Sequence, residues 1–337
     1  MKRLAPYWII ALLTACPAAY AAEPPTPELF AAMIMTKQQQ ASAVPTSSGV
    51  LWRAPKGAWS RLGPEIQLVS SATVDPHDPA HIFLACGNGI VRSRDGGETW
   101  RMVTGWREAD VLQIVVDPQS RENVYAATAW GVLVSHDGGE SWRDASEGLP
   151  AERLAKGIAI DPRNPARLLL ATTTGLFEST NCGAVWRRVD GFPEVAALRI
   201  CQSETDLDRW LVGTEGRGVW RSRDNGHTWS PCAPALAQAN VYAVAVAPHD
   251  ADLLAAGGWT TGVWFSRDGG DKWQPAATAL PSANITAMTF DPVHRHRLWA
   301  STFEEGTFYT EDFGATWHSA HLDGAYVFDL GFLDLKR

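Results

Sequence analysis

SRDGGETW, residues 93–100, is a pattern that this chain repeats: SHDGGESW at 135–142, STNCGAVW at 179–186, SRDNGHTW at 222–229, SRDGGDKW at 266–273 and TEDFGATW at 310–317. The closing tryptophans fall at 100, 142, 186, 229, 273 and 317, in steps of 42, 44, 43, 44 and 44 residues. A period of that length, with β-rich sequence between the echoes, marks a propeller or a repeat array. Each period reads alike. Val111–Asp117 (VLQIVVD) is a β-branched run closed by Asp-Pro, followed by Asn123–Thr128, Gly131–Ser135, the box and a strand begun by Trp142. Four short strands separated by turn signals make one propeller blade.

The Asp-Pro marker gives an independent count. It stands at Asp75, Asp117, Asp161, Cys201 and Ala247 (Asp replaced at both), Asp291 and Asp334 (no proline), in steps of 42, 44, 40, 46, 44 and 43. Seven inner strands therefore face six boxes. Gly49–Trp59 (GVLWRAPKGAW) parallels Gly89–Trp100, one residue shorter and without the Asp. The last blade should take its inner strand from Tyr326–Asp334 and its outer strands from the N-terminal segment. The expected fold is all-β, a seven-bladed propeller of four-stranded blades over residues 49–337, closed by pairing the two ends so that no long edge is left open. Glu28–Met35 (ELFAAMIM) reads either as the second strand of that blade, with Thr36–Ser48 as an unusually long loop, or as a loose helix and linker within segment 22–48.

The first residues read as an export signal. Lys2 and Arg3 precede the apolar run Tyr7–Ala15, which is too short to span a bilayer. Ala19-Tyr20-Ala21 fits cleavage after residue 21, and Leu13-Thr14-Ala15-Cys16 alternatively fits a lipoprotein signal of residues 1–15 with Cys16 lipidated. Periplasm, soluble or lipid-anchored, or secretion follows, with membrane contact only through such an anchor. The chain carries 29 Lys and Arg against 37 Asp and Glu, a net charge of −8. That balance argues against a nucleic-acid or anionic-membrane partner. Cys86, Cys182, Cys201 and Cys232 follow no metal spacing. A Cys182–Cys201 bridge and free thiols are both open in an exported chain.

The box residues follow from turn chemistry. Asp95, Asp137, Asn181, Asp224, Asp268 and Asp312 can accept backbone N–H bonds across the third-to-fourth strand turn. Gly takes the positive-φ position, and Trp returns its indole between sheets. Six copies cannot all be an active site, so the box acids read as structural. These residues resemble the Asp-box, or bacterial neuraminidase repeat, family of β-propellers over about residues 49–337. The same box occurs in sialidases, xyloglucanase-type glycoside hydrolases, sortilin-type receptor domains and the photosystem II assembly factors of plastids and cyanobacteria. With their Asp-Pro turns the repeats look closer to sortilin and xyloglucanase blades than to the photosystem factors.

The resemblance implies a site on the face opposite the boxes, where second-to-third strand loops and blade connections lie. The loops there bring Trp130, Glu215, Arg217, Trp259, Phe303, Glu304 and Glu305; the connections bring Trp106, Arg107, Asp110 and Tyr242. Exposed aromatics suit a sugar ring or an apolar peptide side chain. A glycosidase would need two carboxyls about 5–10 Å apart, for which Asp110, Glu215, Glu304 and Glu305 are candidates. A sialidase would need an arginine triad, and the Arg-Ile-Pro segment of that family is absent. The histidines look dispersed over the box face, so no metal and no cofactor is expected. The sequence points to a monomeric, non-catalytic binding or assembly module for a protein or peptide partner, such as a stability factor for an envelope complex. A carbohydrate-active protein, hydrolase or sugar binder, is the alternative.

Overall fold

Short β-branched runs bounded by turn signals, many of them buried on both faces, dictate sheets rather than helices, and every run finds an antiparallel neighbour. The computed structural model describes residues 27–37, 47–53, 58–105 and 108–335. They form seven four-stranded antiparallel sheets, the blades of a β-propeller. Blade 2 is representative: Val111–Asp117, Ser120–Thr128, Gly131–Ser135 and Arg143–Asp144 pair in chain order from the axis outward. Blades 1 and 3–6 start from inner strands Val69–Asp75, Ala155–Ile160, Ala197–Gln202, Ala243–Ala247 and Ile285–Phe290. The fourth strands are mostly two residues long, which leaves little edge for another chain to pair with.

The seventh blade is made from both ends of the chain. Its order is Tyr326–Leu333, Glu28–Ile34, Gly49–Arg53 and Trp59–Leu62. Glu28–Ile34 is thus the second strand, and the loose-helix alternative is set aside. Its Leu29, Phe30, Ala31, Ala32 and Met33 are all buried, which no linker would require. The leader, Cys16 and residues 38–46 lie outside the described residues. Among the described residues no helix is long and apolar enough to cross a membrane.

The core lies between blades. Tyr125, Val132 and Val134 of blade 2 pack on Ile158, Leu168, Leu170 and Trp186 of blade 3, and equivalent clusters recur round the ring. Of the box tryptophans only Trp186 and Trp229 are fully buried. Trp100, Trp142, Trp273 and Trp317 are half-buried.

The boxes close their turns with one repeated network. In Ser222–Trp229 the Ser222 hydroxyl donates to Asp224 Oδ1 (2.7 Å) and accepts from Gly226 N–H (2.7 Å). Asp224 also accepts the Thr228 N–H (2.8 Å) and, on Oδ2, the Thr228 hydroxyl (2.6 Å). Asn181 keeps the Val185 N–H bond (3.0 Å), but Val185 offers no hydroxyl. Gly314 illustrates the glycine: φ is +80°, and a Cβ would stand 2.5 Å from that of Ala276.

These bonds have a pH signature. The Thr99 hydroxyl and N–H hold the Asp95 carboxyl at about 2, and the Thr316 N–H and hydroxyl do the same for Asp312. A folded pKa below the unfolded value, about 3.9, gives stability that is present above that value and lost as pH falls through the folded one. Thermal midpoints should therefore fall between about pH 4 and pH 2. Asp95→Asn/Asp312→Asn should flatten that fall, as calorimetry across the window would show. A slope unchanged in the double variant would mean other groups carry it.

The inner strands also correct the sequence count. Five carry a β-bulge near their start, where Ser70, Leu112, Lys156, Leu198 and Thr286 are skipped in the pairing with the second strand. In blade 7 the skipped residue is Phe328. Five residues beyond each bulge stands the Asp-Pro marker: Asp75, Asp117, Asp161, Ser203, Asp291 and Leu333. The replaced Asp of blade 4 is therefore Ser203, not Cys201, and Asp334 lies one residue past its position. The buried marker Asp closes its own turn, as Asp117 does with Gln119 N–H (2.8 Å), and receives the side chain six residues on, Asn123 (3.2 Å). In blade 5 both members of that pair are apolar, Ala247 and Leu253.

The Cys182–Cys201 bridge is corrected too. All four described cysteines are free. Cys182 packs on the core between blades 2 and 3, whereas Cys201 packs on that between blades 4 and 5, so the two thiols never face each other.

Candidate functional site at the channel mouth

The face opposite the boxes is organised by backbone bonds. In blades 1–6 the second-to-third strand hairpin donates an N–H to the connection entering its own blade. These are Gly87 to Leu68, Ala129 to Asp110, Thr173 to Leu154, Glu215 to Ala196, Trp259 to Asn240 and Phe303 to Asn284, at 2.9–3.1 Å. The hairpins are thus fixed against the strands that line the axis. Bulges then re-aim one side chain per blade. Ser70, Leu112, Lys156, Leu198, Thr286 and Phe328 occupy the bulges, and Tyr242 takes the matching place in blade 5. Together with Arg199 and Tyr326 they line a cavity of about 190 Å³ at the mouth of the central channel.

Arg199 of blade 4 reaches across the axis to Asp329 of blade 7, Nη2 to Oδ1 at 2.6 Å. Asp329 is buried, and its charge holds the Arg199 guanidinium above its usual pKa against the opposing cost of burial. Arg199 also lines a second cavity of about 450 Å³ at the box end, with Asp329 and Thr289. Arg199 thus contributes to both cavities.

An aromatic track runs from the rim into the mouth. Trp259 meets Phe303, Phe303 meets Tyr326, and Tyr326 meets Phe328, with ring centroids 5.5, 5.5 and 4.5 Å apart. Its outer end is open to solvent: Trp259 is 44% exposed, and Trp130 on blade 2 is 65% exposed. The turn after Trp259 is strained. Thr260 is β-branched yet sits at φ 61°, a region such residues avoid. Its N–H bond to Asn284 Oδ1 (2.9 Å) and its hydroxyl bond to Trp259 O (2.7 Å) hold it there.

An acidic corner lies beside the track. Glu304 (φ 61°), Glu305 and Asp323 gather at blade 6, where Glu305 pairs with Lys37 at 2.8 Å. None of Asp110, Glu215, Glu304 and Glu305 lines the mouth cavity. The structure thus joins Tyr242, Trp259 and Phe303 through Tyr326 and the mouth, and leaves Trp130, Glu215 and Arg217 apart on other hairpins of the same face. Trp106 and Arg107 lie outside the described residues. Sequence reasoning missed Lys156, Leu198 and Arg199 because they belong to inner strands. Their signal is two consecutive non-core positions within a β-branched run, as at Leu198-Arg199 and Leu112-Gln113.

No family model matches the chain. A curated relative, the xyloglucanase Xgh74A of Acetivibrio thermocellus, is 22% identical over 198 residues, 48% of this chain and 19% of that protein. Among solved structures, the Niastella koreensis GH74 enzyme superposes with a TM-score of 0.67 at 17% identity, over 93% of this chain and 55% of that one. YCF48 from Cyanidioschyzon merolae gives 0.59 at 16% identity, over 78% of this chain and 88% of that one. YCF48 bound to a D1 peptide gives 0.55 at 16%, over 74% and 81%. These likenesses establish the propeller fold. The chain spans about a fifth of the curated xyloglucanase and about half of the GH74 structure.

Proposed function

We propose that this protein is an exported, monomeric, non-catalytic propeller that holds a protein or peptide segment on its loop face. One observation carries the reading: a continuous aromatic track leads from solvent-exposed Trp259 to a narrow mouth that no carboxylate lines. Aromatic anchors beside a concave pocket are where binding energy concentrates in protein recognition. The YCF48 structure with a D1 peptide shows that a propeller of this shape can take such a ligand, and the apolar run Tyr7–Ala15 supports export to the periplasm or beyond. A partner within an envelope complex fits both.

Affinity capture from an envelope extract should return one stoichiometric protein. Trp259→Ala should weaken that complex about thirtyfold, the effect of losing roughly 2 kcal/mol at an anchor. Thermal stability of the variant should fall only modestly, since the indole sits at the rim, 44% exposed, and what the fold loses is its ring contact with Phe303.

The alternative is a carbohydrate-active protein, favoured by the GH74 likeness and by the two exposed tryptophans, which could stack on sugar rings. Cleavage of xyloglucan by the purified protein, abolished in Glu304→Gln or Glu215→Gln, would establish that reading and overturn the first.

A further inference from the structure

Charge at the channel mouth is unbalanced. Of the seven side chains at the bulge positions only Lys156 is charged. It is exposed, and no described carboxylate forms an ion pair with it. Arg199 beneath it contributes no net charge, because its one side-chain hydrogen bond among the described residues goes to Asp329. The other polar groups on the wall are hydroxyls, each able to donate; that of Thr286 goes to Ser301 O (3.3 Å). Ser70 brings a hydroxyl, and Tyr242 and Tyr326 bring two phenols. Burial first, and Tyr242 after it, push the Tyr326 pKa up. Leu112, Leu198 and Phe328 complete the wall with carbon.

We infer that the mouth of the channel is a carboxylate pocket. Lys156 supplies the charge contact, Tyr242, Tyr326 and Ser70 donate to the carboxylate oxygens, and Leu112, Leu198 and Phe328 pack on the carbon chain behind it. One uncompensated positive charge matches a monoanion better than a phosphate dianion, and about 190 Å³ admits a short organic acid or a single acidic residue. The carboxylate comes either from a free small acid or from an acidic side chain or chain end of a bound segment. The pocket does not depend on the partner's being a protein, so its failure and that of the function proposed above are separable.

The test uses the full chain and four probes, followed by titration of tyrosine and tryptophan fluorescence. Two are butyrate and its neutral counterpart butyramide; two are the tetrapeptide amide Ac-Ala-Leu-Phe-Glu-amide, whose one carboxylate is the side chain, and its Gln counterpart. The acids should bind saturably, and their neutral counterparts about tenfold or more weaker, the worth of a charged hydrogen bond. Lys156→Met should lose the same factor for acids alone, with an unchanged melting midpoint, and Lys156→Arg should restore it. Binding by the peptide but not by butyrate assigns the carboxylate to a bound segment, and equal binding assigns it to a free acid. The inference is overturned if neither acid binds saturably, if neutral and acidic probes bind alike, or if Lys156→Met binds both acids as the parent does.

Discussion

A chain beginning at Ser48 is expected to yield no soluble monomer. Strand Glu28–Ile34 lies between Tyr326–Leu333 and Gly49–Arg53, pairing with both. Its two faces are buried in different cores: Leu29, Ala31 and Met33 pack with Trp299, Val327 and Leu330 toward blade 6, while Phe30 and Ala32 pack with Val69 and Leu84 of blade 1. Loss of Leu29, Phe30 and Met33 alone removes roughly 5–9 kcal/mol of apolar burial, comparable with the whole stability of an ordinary domain. Two facing strand edges would also be left unpaired, a template for aggregation. Size-exclusion chromatography should show aggregate or no soluble product. A synthetic peptide of residues 27–37, added during refolding, should rescue a monomer by supplying the missing strand. A truncated chain that is monomeric and melts cooperatively near the full-length midpoint would show that the ring closes without this strand.

That seam was legible in the sequence because a repeat makes its own gaps visible. Seven markers against six boxes required a shared blade, and the worn copy at Gly49–Trp59 located it. Register was less legible. The marker was traced through Cys201, which forced uneven steps of 40 and 46 residues, whereas Ser203 restores 42 and 44. The error arose because marker and partner can change together: Ala247 and Leu253 fill the space as an apolar pair, and in blade 4 Arg209 turns instead to Asp206 (2.8 Å). A polar turn residue is replaceable whenever its partner finds another acceptor. The bulge is a more faithful register mark, since it is fixed by the axis geometry rather than by one side chain's chemistry.

The candidate site divides along the same line. Trp259, Phe303 and Tyr242 could be found because they sit in loops and connections that break the repeat. Lys156 and Arg199 sit inside strands that obey it, and strand membership reads as frame. A bulge turns Lys156 toward the axis, and Arg199 follows the bulge at Leu198; a bulge leaves a faint trace in sequence, one extra residue easily taken for tolerance at a half-buried site. In a ring the axis is lined by the most regular strands, so a site at the mouth of the channel is the part that repeat-breaking arguments overlook.

Arg199→Met is expected to destabilise the protein by about 3–5 kcal/mol, more than any single change at the loop face, because it strands the Asp329 carboxylate in the channel. The pair is 2.6 Å long, Asp329 is 9% and Arg199 29% exposed at the side chain, so solvent screens it weakly. One feature distinguishes this from an ordinary packing loss. The double variant Arg199→Met/Asp329→Leu should recover most of the loss, since two apolar side chains leave no charge to desolvate. Urea unfolding of the parent, both single variants and the double variant measures the effect. A single variant losing less than about 1 kcal/mol would mean that water already reaches Asp329 through the channel. A double variant no more stable than Arg199→Met would mean that the arginine stem, rather than its charge, holds blades 4 and 7 at their spacing.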